Sequence, residues 1–197
     1  MTSCLFSNQI RAISVSKNND YKSGIHAHAT GTGKSHIALE IIINFSNSYP
    51  CKAILWLCEQ KSILKDQFNS ETLSKKGHDN LGELFNIKNY TSTKPKKWFE
   101  QVNKLDSGKP LLIIINRAFL VSKKAYENLN INLGLIIHDE CHSFIRKTTQ
   151  DFYQFILEKN SIIRCIGFSA TPTVELSPFN DILNNYSIYD AFLDNII

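Results

Sequence analysis

Arginine is scarce in this chain: among 22 basic side chains, only Arg11, Arg117, Arg146 and Arg164 carry a guanidinium. Set against 18 acidic groups the net charge is +4, and a thin excess made mostly of lysine does not mark a phosphate track by itself. Cysteine is also sparse. Cys4, Cys51, Cys58, Cys141 and Cys165 are odd in number, scattered, and include no Cys-x-x-Cys pair, so they offer no disulfide framework and no support for structural zinc. The chain opens without a basic-then-apolar leader, and the expectation is reduced thiols in an intracellular setting, cytoplasm or nucleus. Apolar runs such as Leu111 to Ile115 fall far short of the ~20 residues a membrane span needs. Internal repeats and low-complexity segments are missing too.

What is present is the balance of a globular protein, 43% hydrophobic and 20% charged over 197 residues, enough for one large domain. Short β-type runs at Gly24 to His28, Lys52 to Cys58, Leu111 to Ile115, Leu135 to His138 and Ile162 to Phe168 alternate with helical stretches. That alternation predicts an α/β fold with a central, mostly parallel sheet, and strands apolar at successive positions predict helices on both faces. Ser35 to Phe45 and Ser62 to Leu73 carry apolar residues at helical spacing, and Pro95 opens a helix through Lys104. Residues 74 to 94 are the least patterned.

Ala29-Thr30-Gly31-Thr32-Gly33-Lys34-Ser35 follows a predicted strand and begins a predicted helix, the setting of a phosphate loop. Glycines there let main-chain N–H groups turn around an oxyanion, and the helix N-terminus adds partial positive charge. Lys34 reaches the β and γ phosphates of ATP, and Ser35 ligates Mg²⁺. The common pattern has glycine where this chain has His28, which reads as a strand-end residue. Phosphate loops serve several chemistries, so a second motif must decide. After the apolar run Leu135 to His138 come Asp139 and Glu140, at the sheet edge where nucleotides bind. Asp139 suits Mg²⁺, and Glu140 suits orienting and deprotonating an attacking water. A third apolar run ends in Ser169-Ala170-Thr171.

Loop, Asp-Glu-Cys-His box and Ser-Ala-Thr triplet, in that order, resemble motifs I, II and III of superfamily 2 helicases and translocases. The box is spelled as in restriction-enzyme motor subunits and duplex-RNA translocases. The resemblance implies the first RecA-like domain of a P-loop ATPase, over residues 1–178, with 179–197 starting the connection to an absent second RecA-like domain. It implies catalytic roles for Lys34, Asp139 and Glu140 and coupling of hydrolysis to nucleic acid through His142, Ser169 and Thr171. Gln9 corresponds to the family's adenine-reading glutamine, although a lone surface glutamine is an equal reading. Gln60 and Lys61 match motif Ia, which touches the sugar-phosphate backbone. Asn116 and Arg117 occupy the place of the next backbone-contacting motif, with asparagine where the family has threonine. Lys94, Lys96 and Lys97 beside Trp98 read as a solvated helical turn over a buried tryptophan rather than a phosphate grip.

The expected activity is Mg-ATP hydrolysis coupled to DNA or RNA, slow in this chain alone because the arginines facing the γ-phosphate belong to the second domain. A nucleotide-gated clamp and a small-molecule kinase are the rival readings. The load of asparagine, isoleucine and lysine is that of an AT-rich genome, a large DNA virus or a parasite being examples.

Overall fold

The structure, a computed structural model, describes residues 5–59, 68–90, 94–105, 108–122, 124–172 and 177–197. Gln60, Lys61 and most of the helix expected over Ser62 to Leu73 lie outside the described residues. The strands are β1 (Gly24–His28), β2 (Ala53–Cys58), β3 (Asn86–Asn89), β4 (Leu111–Asn116), β5 (Leu133–Asp139), β6 (Arg164–Ser169) and β7 (Ile182–Tyr186). They form a seven-stranded sheet in the order β3-β4-β2-β5-β6-β1-β7, and its pairings are parallel.

Around it run α1 (Ser7–Asn18), α2 (Lys34–Ser48), α3 (Ser70–Lys75), α4 (Leu81–Leu84), α5 (Pro95–Asn103), α6 (Arg117–Ser122), α7 (Lys147–Lys159) and α8 (Ile188–Leu193). Short 3-10 turns span Ala125–Asn128 and Cys141–Ile145. Strand side chains alternate between faces. Leu55, Leu57, Ile113 and Ile115 pack with Phe99, Leu120, Phe152 and Ile156 in one core. Ile54, Trp56, Leu112 and Ile114 pack with Ile37, Ile41, Ile42 and Phe45 in the other. This two-sided burial is why β2 and β4 read as unbroken apolar runs.

The five expected strands are present as β1, β2, β4, β5 and β6, although β6 starts at Arg164 because Ile162, at 72% exposed, stays outside the core. Two strands and several helices, α1, α7 and α8 among them, were not located in the sequence. β3 is a four-residue, half-buried edge strand in the unpatterned region. β7 falls in the segment assigned to a connection, yet it pairs with β1, so the sheet runs past residue 178. Gly24 permits that pairing: a Cβ there would lie 2.8 Å from both Asp181 O and Leu183 Cγ. Because the strands are parallel, their carboxyl ends share one edge. The register sets Ala27 beside Ser169, Phe168 beside Asp139, His138 beside Leu57 and Cys58 beside Asn116, which brings the phosphate loop, the acid pair and the Ser-Ala-Thr triplet to one edge.

Candidate nucleotide site and the neighbouring polar network

β1 ends at His28, a fully buried side chain whose Nε2 meets Asn184 Oδ1 of β7 at 2.7 Å. The residue standing in the pattern's first glycine position is thus tied into the sheet. Thr32 folds the following loop back by donating from Oγ1 to Ala29 O at 2.8 Å. Gly31 and Gly33 take φ of +86° and +84°, values that an L side chain rarely adopts. Gly33 also sits directly against the side-chain amide of Gln9, where a Cβ would force that amide to move. That amide donates to Thr32 O at 3.3 Å while Gln9 Oε1 accepts from Phe6 N–H at 3.0 Å. Asn8 Nδ2 also donates to Thr32 O, at 3.4 Å. Gln9 is buried and shapes the loop from behind. Thr30 and Gly31 are exposed, and Ser35 is half-buried at the start of α2.

Lys34 is buried, and its Nζ reaches to 3.5 Å from Glu140 Oε1. The loop after β1 and the turn after β5 therefore meet in front of β6. Glu140 adopts a left-handed conformation, φ 53°, where the strand gives way to the 3-10 turn, and this backbone reversal aims its carboxylate along the edge. Its Oε2 lies 3.4 Å from His142 Nδ1. Asp139 is 6% exposed. Burial first, and the Glu140 charge second, push its pKa up to about 6 against the pull of Lys34. The Lys76 charge also acts on Asp139, so this corner sets two carboxylates against two ammonium groups with no close ion pair to Asp139 among the described contacts.

Ser169 is fully buried, and its hydroxyl oxygen accepts from Thr171 N–H at 3.1 Å, closing the turn after β6. Thr171 and His142 are exposed. Gly167 lets that turn sit close to the acid pair, because a Cβ there would lie 2.6 Å from Cys141 Sγ.

One strand over, β2, β4 and β5 end in a second cluster of charges. Asn116 donates to Glu59 O at 2.7 Å and accepts from Phe119 N–H at 3.1 Å. Arg117 is 1% exposed; its guanidinium forms a bidentate pair with Glu59, with Nη2 at 3.0 Å from Oε2, and donates from Nη1 to Thr149 Oγ1 at 3.0 Å. A side chain so enclosed cannot reach a phosphate backbone without abandoning Glu59, so the contact expected of Arg117 does not fit its position. Burial would push the Glu59 carboxyl up, but the His138 ring, Arg117 and the Ser143 hydroxyl outweigh it and hold Glu59 well below the usual carboxylate range.

An ionised Glu59 fixes the hydrogen-bond direction beyond it, because a carboxylate only accepts. Ser143 Oγ donates to Glu59 Oε1 at 2.7 Å, so the 3.2 Å contact makes His138 Nε2 the donor to Ser143. Burial keeps His138 neutral, which leaves Nδ1 to accept from Tyr153 OH at 3.0 Å. Glu59, His138, Ser143 and Thr149 were missed by sequence reading. The available signal was a polar residue closing an apolar strand, at Glu59 and His138.

Residues 4–174 match the family model described as "Type III restriction enzyme, res subunit". The chain is 32% identical over 156 residues to Dicer-like protein 2-1 of Aspergillus niger, an alignment covering 74% of this chain and 11% of that protein. Among solved structures, the nuclease-deletion mutant of the Type ISP restriction-modification enzyme LlaGI, in complex with a DNA substrate mimic, superposes with a TM-score of 0.73 at 18% identity, over 98% of this chain and 18% of that one. The helicase MrfA, bound to DNA and AMPPNP, superposes with a TM-score of 0.55 at 20% identity, over 84% of this chain and 24% of that one. The chain thus spans a minor part of the length of each of these proteins. The parallel sheet, its motif order and the match over residues 4–174 together show that this chain belongs to the type III restriction enzyme res subunit family, with a RecA-like ATPase fold.

Proposed function

We propose that the chain is the ATP-binding half of a nucleic-acid-dependent motor of the superfamily 2 type, coupling Mg-ATP hydrolysis to movement on DNA or RNA. The observation that carries this reading is the 3.5 Å approach of Lys34 Nζ to Glu140 Oε1, beside a loop that two positive-φ glycines keep open. Family membership removes support from the small-molecule kinase.

The site fits a magnesium triphosphate by its own chemistry. The glycine conformations let main-chain N–H groups of Thr30 to Gly33 face an oxyanion at the start of the 15-residue α2. Lys34 supplies a buried ammonium. The enclosed carboxylate of Asp139 is costly unless a cation meets it, and with Ser35 it would hold Mg²⁺, which when bound offsets charge on the phosphoryl oxygens. Glu140 orients the attacking water and takes its proton. His142, Ser169 and Thr171, on the turns flanking the acid pair, pass the state of the site to the track. Gln9, in contact with the loop, is the residue assigned to the adenine side. Track contact falls to Gln60 and Lys61, with Asn116 holding the preceding Glu59 through its main-chain O and Arg117 acting from the interior.

A second RecA-like domain is the partner that this surface suits. α8 exposes Ile188, Tyr189, Phe192 and Leu193 at 70%, 66%, 68% and 57%. A Cβ at Gly31 would come within 3.2 Å of Ile197 Cγ2, so the apolar tail ends against the loop. In a test with a fluorescent ATP analogue and Mg²⁺, the chain is expected to bind nucleotide and Lys34→Ala to lose it. Hydrolysis by the full-length protein should rise on adding DNA or RNA, and Glu140→Gln should lower it by about 10²- to 10⁴-fold with nucleotide still bound. The isolated chain should turn over more slowly than the full-length protein by on the order of 10³ to 10⁵. Turnover indifferent to nucleic acid and to Glu140→Gln would end the motor reading.

A further inference from the structure

His36, Glu40 and His78 stand apart from both the acid pair and the Glu59 network. His36 and Glu40 are four residues apart on α2 and share a face, while the turn after α3 delivers His78. One ligand atom from each lies within 4.8 Å of the others. His78 Nε2 is 3.7 Å from Glu40 Oε1, and the two imidazole rings meet edge to face at 5.2 Å. Donors about 2.0–2.1 Å from a tetrahedral ion are spaced by roughly 3.3 Å, so small side-chain rotations close the set.

Independent observations point to a ligand here. His78 is 3% exposed, and its Nε2 has no hydrogen-bond partner, a costly condition for a buried polar nitrogen. A buried imidazole nitrogen without a partner and a carboxylate oxygen just beyond hydrogen-bond distance of it are both served by one cation. His36 makes a backbone hydrogen bond to Lys76, the arrangement that fixes the tautomer and orientation of a ligating imidazole.

We infer that His36, Glu40 and His78 form a site for a divalent transition ion of the zinc class, with a fourth position left to water. Two imidazoles and one carboxylate suit Zn²⁺ and disfavour Mg²⁺. The ion would fasten the first two turns of α2, which begins at the phosphate-loop lysine, to the segment around residue 78. A cysteine inventory, which argued against zinc, is blind to such a donor set.

The test strips the chain with a chelator, keeps its thiols reduced, and titrates Zn²⁺ against a competing indicator. One equivalent is expected to bind and to raise the melting temperature saturably. Co²⁺ in its place should give tetrahedral visible bands without thiolate charge transfer. Losing an outer-shell partner of a metal ligand already costs 10- to 100-fold in affinity, so His36→Gln and Glu40→Gln, on the half-buried helix face, should each weaken binding at least about tenfold. His78→Gln should do the same where it folds, and Asp139→Asn should leave the affinity unchanged. An affinity unmoved by both helix variants, a thiolate band, or the absence of a saturable equivalent would overturn the site.

Discussion

Two clusters of charge sit at the same edge of one sheet, and they are built on opposite plans. At the ends of β1 and β5, Lys34, Asp139 and Glu140 meet at the mouth of the phosphate loop, and the one short contact between them is 3.5 Å long. At the ends of β2 and β4, Glu59 and Arg117 face inward and bind each other, Ser143 and Thr149 at hydrogen-bond distance. The first cluster leaves its charges for something else to satisfy; the second satisfies its own. Unfinished electrostatics mark a binding site, and finished electrostatics mark a fixture that positions it.

The largest test of that division is Arg117→Met. Removing one partner of a buried ion pair leaves the other uncompensated, typically at 3–5 kcal/mol. Glu59 keeps 19% of its side-chain surface in water, so the lower end, about 3 kcal/mol, is expected by denaturant melting. Adding Glu59→Gln should recover part of the loss, which a double-mutant cycle would read as coupling. The pH dependence follows in sign. The folded pKa of Glu59 lies below the unfolded one, so the pair's contribution is complete above about pH 4.3 and is lost as pH falls further. Arg117→Met should flatten that acid limb. A variant as stable as the native chain, with the limb intact, would place the two clusters in one class.

The outward cluster should respond in the opposite direction. Asp139 resists ionisation in the folded chain, with its pKa raised to about 6, so its charged form costs stability once pH rises through that value. Asp139→Asn removes the cost and keeps the shape. In chelator at neutral pH it should stabilise the chain by about 2 kcal/mol, while weakening the Mg²⁺-dependent part of nucleotide binding. Destabilisation by Asp139→Asn would mean that this carboxylate is held by the fold, as Glu59 is.

The sequence announced the outward cluster and hid the inward one, for a physical reason. A phosphate loop needs particular residue types at contiguous positions, Gly31, Gly33, Lys34 and Ser35, so its chemistry is written locally. The same holds for Asp139 and Glu140 at the end of an apolar strand. The Glu59 network gathers residues from the end of β2, the start of α6, β5, the 3-10 turn after it and α7, which only the fold brings together, and each alone looks like an ordinary polar residue. Buried strands declared themselves by continuous apolar runs. β3 and β7 did not, because Asn86–Asn89 and Ile182–Tyr186 are short, polar and only partly covered. The inward pairing of Arg117 was not legible, because a strand-end arginine has the same spelling whether it points to water or to a carboxylate.

The gentlest probe of the comparison is Thr149→Val. Thr149 is fully buried and accepts one hydrogen bond, from Arg117 Nη1 at 3.0 Å. Valine keeps the volume and the branched Cβ but offers no oxygen, so one guanidinium N–H is left unpaired while the pair with Glu59 survives. A lost bond to a charged donor points to about 1.5 kcal/mol, seen as a lower denaturant midpoint at unchanged slope; Thr149→Ser should restore much of it. If the inward cluster is a fixture and nothing more, nucleotide affinity will not change with the midpoint. Should affinity fall in step with stability, Glu59 and Arg117 must transmit strain through Ser143 to the turn that carries Glu140, and the two plans would be halves of one device.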